Sequence, residues 1–140
     1  AKTPVESFAT AFLGILSVET GKLRFASAGH DPTILVRSED DVELLMPTGM
    51  PLGLMPEAVY TESEATLEAG DSIVLYTDGI TEAANPEQDE FGRERLVEVC
   101  SKHRTEGPIE LSKSIELAVN AFVKGVPFHD DRTLVIVRRV

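Results

Sequence analysis

Between residues 59 and 68 apolar or small side chains alternate with polar ones. Val59, Thr61, Ser63, Ala65 and Leu67 fall on one side, and Tyr60, Glu62, Glu64, Thr66 and Glu68 on the other. This period of two predicts a strand whose first set turns inward and whose second set meets water, in a sheet covered on one face. Residues 72–77 (Ser-Ile-Val-Leu-Tyr-Thr) lack the alternation, and the unbroken run predicts a strand buried on both faces, ending at Asp78-Gly79. A second fully apolar strand is predicted at residues 133–137. Upstream, residues 8–18 and 23–28 are β-prone and flank the turn Glu19-Thr20-Gly21-Lys22, which reads as a hairpin. Residues 33–37 and 42–46 form a second predicted hairpin around the acidic tip Ser38-Glu39-Asp40-Asp41.

A helical period replaces the strand pattern in two later segments. Residues 92–103 place Leu96, Val99 and Cys100 on one face, and residues 109–124 do the same with Leu111, Ile115, Val119 and Phe122. Pro108 before the second helix and Gly125 after it suit the two kinds of helix terminus. Residues 48–56 mix Gly and Pro with large apolar side chains, which predicts a rigid, partly buried loop. With no internal repeat and no flexible linker, residues 1–140 read as a single domain. A run of strands, two late helices and a closing strand predict an α+β fold on mostly antiparallel sheet.

Charge narrows the function. Among 140 residues, 24 are acidic and 13 basic, a net charge of -11, so neither a nucleic acid nor an anionic membrane surface is an expected partner. The single Cys100 excludes an internal disulfide and a thiolate zinc cage, and points to a reducing, cytoplasmic setting. No apolar stretch approaches the roughly 18 residues of a membrane span, so no membrane insertion is expected. Ala1-Lys2-Thr3-Pro4 has no signal-peptide layout and no initiating Met, which suggests a piece of a longer chain. Phosphate-binding P-loop, dinucleotide-binding and serine-hydrolase signatures are missing.

The candidate chemistry is carboxylate chemistry. Asp78 stands at the exit of one apolar strand, and Asp130-Asp131 at the start of the other. If those strands pair antiparallel, the carboxylates converge at one end of the sheet. Mutual repulsion is then relieved by a hard divalent cation such as Mg2+ or Mn2+, which takes oxygen ligands and keeps several waters. Two plainer readings stay open: Asp78-Gly79 as an ordinary turn, and Asp130-Asp131 as a solvated loop after residues 125–127. His30, in Ala28-Gly29-His30-Asp31-Pro32, is either an acid, a metal ligand or a hydrogen-bonded turn residue, and His129 has the same choices. His103 reads as a cation at a helix C-terminus, and Cys100 as a small core residue. The acidic residues 39–41 and the run 87–90 read as solvated loops.

Five segments in this order, Phe8-Ala9-Thr10-Ala11-Phe12, Ala28-Gly29-His30, Gly49-Met50-Pro51-Leu52-Gly53, Leu75-Tyr76-Thr77-Asp78-Gly79-Ile80-Thr81-Glu82-Ala83 and Asp130-Asp131-Arg132-Thr133, give the chain its family likeness. It resembles the SpoIIE-like branch of the metal-dependent type 2C (PPM) protein serine/threonine phosphatases, over the C-terminal portion of their catalytic domain. The resemblance implies an antiparallel β-sandwich with flanking helices, and hydrolysis of phosphoserine or phosphothreonine with two Mn2+ or Mg2+ ions about 3.5–4 Å apart. It implies that Asp78, Gly79 and Asp130 form the metal site, with Gly79 allowing close backbone approach, and that Asp131 supports them from behind.

The implied substrate is a phosphorylated regulatory protein such as a bacterial anti-sigma-factor antagonist, and a sensory or receiver domain is expected upstream. The family's early Asp followed by Gly-His-Gly has no match in the 140 residues. The N-terminal strands and helices are therefore expected to be missing, and this piece alone is expected to bind metal weakly and turn over slowly. Apolar sheet left uncovered in this way would favour a homodimer. The alternatives are a noncatalytic phosphatase-like module that binds a signalling partner, and a structural metal-binding sandwich.

Overall fold

A computed structural model describes residues 7–39, 41–128 and 130–140. The chain divides into two compact units. The first takes residues up to Pro32 together with Met46–Leu67, and the second takes Thr33–Leu45 together with Glu68–Val140.

The first unit is a three-stranded antiparallel sheet in the order β1-β2-β5. Strands β1 (Ala11–Leu16) and β2 (Lys22–Ala28) form the predicted hairpin, registered from Ala11 opposite Ala28 to Leu16 opposite Leu23. Gly21 closes the turn at φ 76°, a left-handed backbone that favours glycine. Leu23, Phe25 and Ser27 of β2 are buried while Lys22 and Arg24 are exposed, a clean period of two. Those two cations meet Glu64 and Glu62 across the ladder at 3.2 and 2.8 Å. Both pairs are solvated and add little stability.

Strand β5 is only Ser63–Thr66, shorter than the alternation of residues 59–68 predicts, and Val59 is 77% exposed. The reason lies in the preceding loop. The Thr61 hydroxyl donates to the Thr48 carbonyl at 3.2 Å, and Tyr60 lies so close to Gly49 that a Cβ there would fall 2.6 Å from its ring. Residues 59–62 therefore run alongside residues 48–49 and leave the ladder of β2.

The second unit is a four-stranded antiparallel sheet in the order β4-β3-β6-β7, carrying three helices. Strands β3 (Thr33–Val36) and β4 (Glu43–Leu45) form the second predicted hairpin. Strand β6 (Ser72–Tyr76) lies between β3 and β7, and four of its five residues are buried, as its apolar run predicts. Strand β7 (Leu134–Arg138) is equally apolar in sequence but lies at the edge, with Val135 48% and Val137 38% exposed.

Helix α1 (Asp78–Thr81) comes directly after β6, where the sequence predicts only a stop. Helices α2 (Gly92–Lys102) and α3 (Pro108–Val123) begin and end within a residue or two of their predicted bounds. Pro108 occupies the first turn of α3, and Lys124 and Gly125 end it at φ 51° and 84°. Leu111, Ile115, Val119 and Val123 of α3 form one buried stripe against a core that includes Ile34, Val36, Val74, Tyr76 and Leu96.

Asp71 fastens the start of β6. Its buried carboxylate accepts the amides of Ser38 at 3.0 Å and Glu68 at 2.8 Å, and Arg37 Nη1 at 2.8 Å. Burial by itself pushes this carboxyl up, but the two amides and the guanidinium outweigh it and hold Asp71 below the usual carboxylate range.

Candidate metal centre

Strands β6 and β7 pair antiparallel, with Ser72 opposite Arg138 and Tyr76 opposite Leu134. One step further the Thr77 amide donates to the Thr133 carbonyl at 3.1 Å, and the Thr133 amide donates to Thr77 Oγ1 at 3.0 Å. This lock fixes the adjoining residues of both segments. Asp78 is the next residue after Thr77, and Asp131 and Asp130 lie two and three residues before Thr133, so the acidic residues of both segments come to the same end of the sheet. The sequence predicts this meeting, and the register produces it.

Gly79 makes the approach possible. A Cβ at this position would overlap the Asp131 carbonyl oxygen, and would lie 2.7 Å from the Asp131 carbonyl carbon and 3.2 Å from Arg132 Cα. Only a residue without a side chain lets the two backbones touch, a demand of contact and not of turn geometry. Asp131 contributes here through its main chain, and its side chain is exposed.

Beside this contact is a cavity of about 220 Å3 whose lining includes Gly79, Glu82, Glu90, Phe128 and Asp130. Glu82 caps the end of α1, and its amide donates to the Asp78 carbonyl at 2.7 Å. Burial raises the Glu82 carboxyl above its ordinary value, and the negative charges of Asp78, Glu90 and Asp130 raise it further. Four carboxylates are thus close enough to repel through Glu82. No ion pair among the described residues reaches any of them.

The sequence alone does not single out Glu82 or Glu90. Glu82 belongs with Asp78 once residues 78–81 are helical, because positions four apart share a face. Glu90 lies in the acidic run 87–90 that reads as a solvated loop, but it bridges to Ala84 and borders the cavity.

The donors are all oxygens, and among the described residues no ion pair neutralises them, which fits a hard divalent cation better than a thiophilic one. Among the described residues no three Asp, Glu, His or Cys side chains are grouped closely enough to hold such an ion by themselves. An ion placed here would need water or further ligands besides these side chains.

His30 belongs to the first unit, where its Nδ1 is 3.1 Å from Thr10 Oγ1, the hydrogen-bonded arrangement. His129 lies outside the described residues. His103 caps the end of α2 and pairs through Nδ1 with Glu106 at 2.7 Å. Cys100 is fully buried, and burial pushes its thiol up to about 12, as suits a core residue. Among the described residues no helix is long and apolar enough to cross a membrane.

The chain as a whole is similar to known proteins. The family model described as Stage II sporulation protein E (SpoIIE) matches residues 1–140. Protein IcfG of Synechocystis sp. is 32% identical over 132 residues, covering 94% of this chain and 21% of IcfG. The phosphoserine phosphatase RsbU of Bacillus subtilis is 31% identical over 135 residues, covering 94% of this chain and 39% of RsbU. The chain thus spans about a fifth and two fifths of these two relatives. Among solved structures, the PP2C domain of SiaA from Pseudomonas aeruginosa superposes with a TM-score of 0.83 at 20% identity, covering 96% of this chain and 53% of that one. At that identity the likeness concerns the fold, which is the α+β, antiparallel architecture of PP2C phosphatase domains.

Proposed function

The chain belongs to the SpoIIE family, as a SpoIIE-like region of the PPM serine/threonine phosphatases, and on that footing we propose that its whole protein hydrolyses phosphoserine or phosphothreonine on a regulatory protein with the help of Mn2+ or Mg2+. Residues 1–140 are read as part of one phosphatase domain, with Asp78 and Asp130 as metal ligands. The observation that supports the proposal is the β6–β7 register, which brings residues 78 and 130 to the same end of the sheet, where the charges of both act on Glu82 and no ion pair among the described residues neutralises them.

A bound divalent ion would supply charge neutralisation at the phosphoryl group and activation of water near neutral pH. The chain's own residues do the holding. Asp78 and Asp130 present anionic oxygens from two segments that the Thr77–Thr133 lock keeps in register. Gly79 admits the Asp131 main chain, so the loop bearing Asp130 sits against the start of α1. Glu82 and Glu90 add negative potential to the cavity, which draws in cations and repels a phosphoprotein until a cation is present.

The partner is proposed to be a phosphorylated signalling protein, in keeping with RsbU being a phosphoserine phosphatase. The test is Mn2+-dependent release of phosphate from a phosphoserine peptide by the whole protein and by Asp78→Asn and Asp130→Asn. Loss of turnover in both variants is expected. Undiminished turnover in both would overturn the ligand assignment, and no turnover by the parent protein at any Mn2+ concentration would favour a noncatalytic binding module.

A further inference from the structure

Arg132 is two residues from Asp130 and one from Asp131, yet no ion pair joins it to either carboxylate among the described residues. Its guanidinium instead lies over the Phe128 ring, 3.0 Å from the centroid, and Nη1 donates to Asn120 Oδ1 of α3 at 3.3 Å. Its Nε and Nη2 are buried with no hydrogen-bond partner among the described residues. Leaving two guanidinium donors buried and unpaired is costly, so a residue chosen only to fill space would not be arginine.

The placement of this side chain has two consequences. Phe128 and Arg132 are the first and last residues of the five-residue stretch that carries Asp130 and Asp131, so stacking one on the other closes that stretch at its base. The stretch is held from both sides, because the main chain of Asp131 and Arg132 abuts Gly79 while the guanidinium is tied to α3. The same interaction also keeps a permanent cation away from Asp130. An arginine free to fold back would pair with that carboxylate and compete with any metal ion for it. Phe128 also lines the acidic cavity, so the clip and the site share a wall.

We propose that Arg132, stacked on Phe128 and tethered to Asn120, is a positioning residue for the metal site: it closes the loop that carries Asp130 and holds its own charge off the carboxylates. This rests on the ligand reading proposed above for Asp78 and Asp130.

The test measures the Mn2+ dissociation constant of the whole protein by calorimetry, without substrate, together with melting temperature. The variants are Arg132→Met, Phe128→Leu, their double variant, Arg132→Lys and, as reference, Asp78→Asn and Asp130→Asn. Arg132→Met and Phe128→Leu are each expected to weaken Mn2+ binding by about 10–100-fold, the usual effect of removing a group that orients a ligand. The double variant should be no weaker than the weaker single one, since both remove the same contact. Arg132→Lys should bind more tightly than Arg132→Met, because it keeps a cation for the ring but loses the planar fork.

A purely structural role would lower the melting temperature and leave the dissociation constant unchanged. Mn2+ affinities within about twofold of the parent in both single variants, with Asp78→Asn and Asp130→Asn impaired, would overturn the positioning role and leave the ligand assignment standing. Unimpaired Asp78→Asn and Asp130→Asn would overturn both.

Discussion

Replacing Gly79 by alanine adds one methyl group at the point where two backbones meet. The new Cβ would lie 2.7 Å from the Asp131 carbonyl carbon, against an ordinary contact of about 3.5–4.0 Å. The Asp131 main chain must then retreat by about 1 Å, since neither it nor the backbone of α1 is a flexible side chain that can turn aside. Overpacking of this kind costs about 1–3 kcal/mol. The retreat pulls on the Thr77–Thr133 hydrogen bonds directly behind it, and losing one adds about 1 kcal/mol. We expect Gly79→Ala to lose about 2–4 kcal/mol of unfolding free energy. Asp130 would be displaced with the loop, so Mn2+ affinity should fall as well. Urea unfolding of parent and variant with and without Mn2+ gives the first quantity, and calorimetric titration the second. A variant within about 0.5 kcal/mol of the parent and with the same Mn2+ affinity would refute the close approach as the device that builds the site.

Two further outcomes test other parts of the molecule. Asp71→Asn keeps the size of the side chain but removes the charge that accepts from Arg37, Ser38 and Glu68, and should cost about 2–4 kcal/mol in urea unfolding at neutral pH. Because the folded-state pKa of Asp71 is depressed, its contribution is complete above the unfolded value of about 3.9 and is lost as pH falls through the lower folded value. The parent should therefore lose stability more steeply than Asp71→Asn in that acid range, and parallel curves would contradict the assignment. Cys100, with its thiol pushed up to about 12 inside the core, should resist alkylation at pH 8 until the protein is unfolded. Rapid labelling under native conditions would show that α2 is not packed as described.

Much of the fold can be read from the sequence, because its signals are local. The hairpins β1–β2 and β3–β4, the buried strand β6 and the stripe of α3 each arise from a period of two, an apolar run or a helical spacing. The convergence of Asp78 with Asp130 is also legible, since antiparallel pairing of two apolar strands is enough to bring their ends together.

The features that stay hidden depend on neighbours far away in the chain. The alternation of residues 59–62 cannot reveal that Thr61 and Tyr60 engage residues 48 and 49. The apolar run of β7 cannot reveal that no strand lies beyond it among the described residues, so Val135 and Val137 are partly exposed. Helix α1 is only four residues long and gives no period of its own, and without it Glu82 cannot be assigned to the face of Asp78. Glu90 is lost in an acidic run whose composition resembles any solvated loop. Arg132 is visible as part of Asp130-Asp131-Arg132-Thr133, but its turn toward Phe128 and α3 is a tertiary fact.

The central proposal is that Asp78 and Asp130 are metal ligands in one site, and paramagnetic broadening tests it without any need for turnover. Mn2+ added in small substoichiometric steps to isotope-labelled whole protein should broaden the amide signals of Gly79, Ile80, Asp131 and Arg132 together and before those at the far ends of β6 and β7. If those four amides stayed sharp while Mn2+ broadened a different set, or if the two segments responded at different Mn2+ levels, the shared site would be contradicted.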